Sequence, residues 1–218
     1  MNDTKRIQHY GILLIFIFPA LFTLLLFVLQ WPEWWTWIVF ELTPMGWMQS
    51  VLLMFCALTA AYNGLVNYIT PHQAPAYRTF LLMAIAFFCL ALDERFALHE
   101  RMRDKFLAPH HVTFPLFPWV EPGNFILLLF LMVGLALLTK FLRVLTPLSK
   151  KFFVVGTIIA AIAILMDSFE YTGYSVDVQR WEQFIEEQLE ETAMCHFLAA
   201  QYLTLVEQLT TRAPKLSR

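Results

Sequence analysis

The chain has 218 residues, of which 59% are hydrophobic and only 15% charged, against about 25% charged in an ordinary soluble domain. A soluble fold of this size could not hide that much apolar surface, 21 Phe included, so the surplus must face lipid. The formal net charge of −2, with no basic patch carrying interleaved aromatics, sets nucleic acid aside as a partner.

The composition leaves room for one membrane domain over residues 1–218 and no separate soluble domain. Cys56, Cys89 and Cys195 are three widely spaced residues inside apolar runs. That is not a disulfide framework, and no Cys/His zinc spacing occurs, so they read as small core residues.

A transmembrane helix needs about 20 mostly apolar residues. Six segments qualify in chain order: 11–30, 48–69, 79–103, 124–142, 152–171 and 182–206. The first follows Lys5 and Arg6 and is longer than a signal-peptide core, so it reads as an uncleaved span. Lys and Arg fix the orientation. Arg78, Lys140, Arg143, Lys150, Lys151, Arg212, Lys215 and Arg218 fall on the side of Lys5 and Arg6. The 31–47 loop has neither Lys nor Arg but carries Trp31, Trp34, Trp35, Trp37 and Trp47, an outer aromatic belt. Only the third connection dissents, with Arg101, Arg103 and Lys105 beside Glu100 and Asp104. The expected fold is therefore an all-α polytopic bundle of about six spans with both termini cytoplasmic. The 107–124 connection, rich in proline and aromatics, reads as an interfacial loop, with a lid as the alternative.

Three spans carry acids where lipid makes them costly. The third reads Asp93-Glu94-Arg95-Phe96-Ala97-Leu98-His99-Glu100, the fifth ends with Asp167 and Glu170, and the sixth opens with Glu186, Glu187, Glu190 and Glu191. At 1.5 Å per residue, Asp93 stands about 20 Å, Asp167 about 21 Å and Glu190 about 24 Å from the cytoplasmic end of its span. Carboxylates from separate helices thus reach one level in the outer third of a roughly 30 Å core. Helical spacing aligns Asp93 with Glu100, puts Asp167, Glu170, Tyr171 and Tyr174 on one stripe, and turns His196 away from Glu190.

So many acids together call for protonation, cationic partners or a bound cation. A divalent metal ion of unknown identity is the expected cofactor. Its ligand pool is Asp93, Glu94, His99, Glu100, Asp167, Glu170 and Glu190, with Glu187 or Glu191 as general base. The function that follows is metal-assisted chemistry on a lipid-like substrate at the outer leaflet. The repeated Glu-x-x-His of ferritin-like di-iron bundles is absent. Two alternatives stay open: a cation or proton transporter, channel or sensor using the same pocket, and a structural subunit whose acids are salt-bridged. Membrane lipid is the expected partner, with a second copy or a membrane complex as further options.

The Asp93-Glu94-Arg95-Phe96-Ala97-Leu98-His99-Glu100 stretch resembles small bacterial inner-membrane proteins that carry an Asp-[Asp/Glu]-x-Phe-x-x-His-Glu segment. The likeness centres on the third, fifth and sixth spans. It implies a bacterial inner-membrane location and brings no activity with it. The late His-x-x-x-His pair of the alkaline ceramidase and adiponectin-receptor superfamily is missing, so none of its site residues carry over.

Overall fold

The computed structural model of the chain describes residues 3–40, 42–69, 74–115, 120, 125–168 and 173–216, without the side chains of 74, 75 and 212–216. Among these residues the regular structure is helical: α1 (Asp3–Leu29), α2 (Pro44–Tyr68), α3 (Ala74–Phe96), α4 (Leu98–Met102), α5 (Phe125–Val144), α6 (Pro147–Asp167) and α7 (Val176–Leu216), with short 3-10 and π turns between some of them. Pro44 and Pro147 open their helices at the first turn, where the missing N–H costs nothing.

Among the described residues five helices are long and apolar enough to cross a membrane: Asp3–Leu29, Pro44–Tyr68, Ala76–Phe96, Phe125–Val144 and Pro147–Asp167. The sixth expected span falls on α7, whose outer half carries too many acids to qualify by hydropathy. Its contacts nevertheless follow α2 from end to end. Gln49 meets Glu187, Cys56 meets the Met194 carbonyl and Asn63 meets the Gln201 carbonyl, each pair 138 positions apart. A constant offset means parallel helices in fixed register. Near the other end Asn67 Nδ2 donates to Gln208 Oε1. From Gln49 to Asn67 is about 27 Å of helix, so α7 runs as deep as α2. α1, α2 and α6 pack along it, and its buried residues lie mainly from Glu191 onward.

The neighbours of these two helices run the opposite way. On α1, Thr23, Ile15 and Ile7 meet Glu191, Cys195 and Tyr202 of α7 in turn. On α6, Ser149 meets Thr204 while Gly156 lies against Ala193, His196 and Phe197. Ser50 of α2 donates to the Ala91 carbonyl of α3. The alternation puts the start of α1 and the end of α7 at one end of the bundle, the end expected from the Lys/Arg bias to be cytoplasmic.

Two glycines set the closest approaches. A Cβ on Gly11 would overlap the Tyr202 ring, and one on Gly156 would come to 3.0 Å from His196 Cβ. The main core lies between α2, α3, α6 and α7, around Cys56, Ala60, Phe80, Met83 and Ala200. A second cluster closes the outer end of α1: Leu26, Trp34, Ile38, Val39 and Met45, with Phe27 and Phe184 packed on it. The tryptophan belt thus divides. Trp31 and Trp47 are exposed as a belt requires, whereas Trp34 is buried against Trp181 and Phe184 and pins the outer end of α7.

The third expected span is not one continuous helix. Ala97 adopts a left-handed backbone (φ 47°, ψ 50°), which ends α3 at Phe96 and starts α4 on a new axis. The expected alignment of Asp93 with Glu100 on one helix face is therefore lost. The fifth span starts earlier than expected, at Pro147, and ends at Asp167. Glu170 and Tyr171 lie outside the described residues, as does the part of the proposed lid at 116–119 and 121–124.

Candidate functional site

The break at Ala97 builds the first element of the site. On an unbroken helix residues six apart point about 120° apart and cannot touch. The left-handed turn swings α4 back over the end of α3, so that Asp93 receives His99 twice. The His99 backbone N–H donates to Asp93 Oδ1 at 2.8 Å, and His99 Nδ1 donates to Asp93 Oδ2 at 2.7 Å. A carboxylate gripping both the backbone and Nδ1 fixes the ring plane and the tautomer, and leaves Nε2 as the basic nitrogen. α4 stands beyond the apolar span Ala76–Phe96. Burial disfavours the charged ring there, but the Asp93 hydrogen bond and charge, with Glu100 and Asp167, outweigh it and hold the imidazole above its usual value.

His99 lines a cavity of about 400 Å³ between α3, α4, α5, α6 and α7. Its carboxyl groups come from Asp93, Glu94, Glu100, Asp167, Glu186, Glu187 and Glu190, with Arg103 beside them. The depths computed from the sequence thus correspond to one place: every expected ligand among the described residues lines the same void. Glu94 Oε1 lies against the first turn of α2, where a Cβ on Gly46 would stand 3.3 Å from it. The positive end of that helix offsets part of the carboxylate charge. Glu187 is steadied from the far side, its Oε2 accepting from Gln49 Nε2 at 2.8 Å.

The other end of the cavity is different in kind. Leu53, Leu90, Leu127, Phe130, Ala160, Ile164, Met194 and Phe197 form an apolar floor reaching toward the membrane centre. Polar groups crowd the outer end and hydrocarbon the inner one.

Among the described residues one expected site residue does not join it. Glu191 is buried against α1, accepting a hydrogen bond from Thr23 at 3.0 Å. It stands about 100° around α7 from Glu190, on the side that meets Thr23 of α1. It is therefore not placed as a base for this site. Glu170 lies outside the described residues. His196, expected to point away, packs between Phe16 and Phe152 with Nδ1 on the Thr192 carbonyl.

Arg180 pairs with Asp177 at 3.3 Å and lies over the Trp35 ring at 3.6 Å. Arg103 pairs with its neighbour Asp104 at 2.8 Å. Among the described residues no three of His, Cys, Asp and Glu are placed to hold one metal ion. Gln49 and Arg103 were missed as site residues. A glutamine inside an apolar run was the available signal for the first; the second was read only as part of a zwitterionic loop.

Fold and cavity together define a polytopic α-helical membrane protein with an acid-lined, apolar-floored chamber near its outer face. A family described as a domain of unknown function, DUF8692, matches residues 12–205, and the chain belongs to it. No match was found among curated proteins or among solved structures.

Proposed function

We propose that the chain is a membrane-embedded enzyme that performs acid–base chemistry on a lipid-like substrate in this chamber. The observation that carries the reading is the His99–Asp93 pair on the wall of a two-ended cavity. An imidazole whose Nδ1–H is held by a carboxylate is a positioned general base, and such a group contributes about 10²–10⁴-fold to a proton transfer. The volume falls in the roughly 300–1,000 Å³ range of small-molecule sites. A cation is the second requirement, since the carboxyl groups outnumber Arg103 and His99 around the void. A divalent metal ion supplies it if oxygens from several helices draw in to about 2.0–2.6 Å. Elemental analysis of the purified protein beside Glu94→Gln/Glu190→Gln reads that directly: stoichiometric metal lost in the double variant supports a metal-dependent enzyme.

Incubating the protein in nanodiscs with a total lipid extract, followed by mass spectrometry, tests the activity. Substrate loss with wild type and not with His99→Ala or Asp93→Asn is expected. Equal turnover by all three sinks the general-base role.

Cation or proton transport is the second reading, and one observation favours it. Gln49, Asn63, Asn67, Gln201 and Thr204 are buried along the α2–α7 seam toward the cytoplasmic end, and Gln49 Oε1, Asn63 Oδ1 and Gln201 Oε1 have no hydrogen-bond partner. Flux of a trapped ion from liposomes without lipid turnover selects this reading over the enzyme.

A further inference from the structure

We propose that the ligand of the chamber is an amphiphile with an ammonium headgroup and a single alkyl chain, which enters sideways from the bilayer past α5. The proposal rests on the reading of the chamber as a substrate site and adds the headgroup charge, the chain and the route.

The floor sets the chain. Glu190 and Phe197 lie on the same wall of α7, and the seven residues between their levels give about 10 Å of apolar depth. A small water-soluble cation leaves that depth unfilled; an alkyl chain occupies it. The charge sets the head. Asp167, Glu187 and Glu190 come from two helices and surround the void rather than converge on a point. A metal ion needs several oxygens within its short coordination radius, whereas an ammonium group spreads its charge over a larger surface and is satisfied by carboxylates at hydrogen-bond or van der Waals distance. Lipid tails are as apolar as leucine, so filling the floor adds little affinity over the surrounding bilayer. The headgroup therefore decides selection, and an anionic amphiphile of equal length is rejected by the same wall.

The route follows from α5. Among its residues only Leu128, toward the outer end, and Phe141, toward the cytoplasmic end, are buried. Midway between them a Cβ on Gly134 would meet nothing within 4 Å. Residues 132–136, more than one full turn at its centre, are all exposed, and Leu137 and Leu138 return to the core. Its outer half supplies Leu127 and Phe130 to the floor, so the chain passes from lipid to chamber beside this helix without its tail crossing water.

The test is photo-crosslinking in zwitterionic nanodiscs with a fatty amine carrying a mid-chain diazirine, against the matched fatty acid, with labelled positions read by peptide mass spectrometry. The amine is expected to label the floor, at Leu127, Phe130, Ala160 or Phe197, and unlabelled amine should compete. The acid is expected to label only outward-facing positions such as Val133 and Ile162. Glu187→Gln/Glu190→Gln should lower floor labelling by the amine roughly tenfold, the weight of about 1.4 kcal/mol of binding. Ala160→Phe, which fills the floor and keeps the acids, should lower it as far; unchanged labelling of Val133 shows that either variant is folded. Equal floor labelling by amine and acid, or none by either, overturns the proposal. Its failure is separable from that of the enzyme reading. Turnover that depends on His99 with no selective amine labelling removes the ammonium class alone. Selective labelling without His99-dependent turnover keeps the ligand and removes the catalysis.

Discussion

The α2–α7 seam and the outer chamber use the same kind of residue to opposite ends. In the seam, Gln49, Asn63 and Asn67 reach across a fixed register to carbonyl and side-chain oxygens of α7, and the space between helices is filled by Cys56, Ala57 and Ala60. In the chamber, more polar groups from more helices surround a void. Small side chains let two backbones approach until polar atoms meet, which is how membrane helices are held together where no hydrophobic gain exists between helix and lipid. In the chamber Asp93 holds His99 and Glu187 holds Gln49, while the helices that carry the acids stay apart around the void. Polar side chains thus close the helices on one another in the seam and leave them open in the chamber.

The largest expected effect breaks the close packing. Gly156→Leu drives a branched side chain into His196, Phe197 and the Ala193 carbonyl, and loss of the folded state is expected. Gly156→Ala should cost about 1–3 kcal/mol, as overpacking does. Thermal unfolding in detergent measures both. If Gly156→Leu melts like wild type, α6 and α7 are not packed as described.

Next in size is the chamber's own chemistry. His99→Ala should lower turnover by about 10²-fold or more while leaving the fold intact. Asp93→Asn should lower it nearly as far, because one amide oxygen cannot accept from both the His99 backbone N–H and Nδ1–H, and the tautomer with Nε2 basic is no longer held. A variant series with the reverse order would make Asp93, not His99, the reacting group.

A pH series sharpens the contrast. His99 is held above its ordinary value by Asp93, Glu100 and Asp167 against the opposing effect of burial. Because the folded value is the higher one, the pair's stabilisation is complete below the unfolded value of about 6.5 and is lost as pH rises through the folded value. The difference in melting temperature between wild type and His99→Ala should therefore shrink as pH rises across that window. A difference that grows with pH would mean the imidazole is stabilised neutral.

The smallest effect belongs to single links of the seam. Gln49→Leu removes one bond to Glu187 and should cost about 0.6 kcal/mol, the average for an interhelical hydrogen bond in a membrane. A loss several times larger would mean that Gln49 belongs to the chamber's machinery.

The spans were legible because a run of about 20 apolar residues has few alternatives in a chain that must satisfy every backbone group within lipid. The meeting of Asp93, Asp167 and Glu190 was legible for a related reason: helical rise converts sequence distance to depth, and depth was enough to bring three helices to one level. Direction around each helix was harder. Glu191 falls on the α1 side because packing, not rise, sets the rotation of α7. The pairing of Asp93 with His99 was out of reach for any argument from helical spacing, since a left-handed Ala97 breaks the periodicity that such arguments assume.

The sequence by itself therefore determined a membrane bundle, its up-and-down order and the level at which its acids lie, all of which follow from hydrophobic length, loop charge and a constant rise per residue. Only the tertiary structure decided which acids share a void, which one faces α1, and that His99 is gripped by Asp93. Those depend on helix rotation, on one backbone reversal and on how closely neighbouring helices approach, and each is settled by packing between segments far apart in the chain.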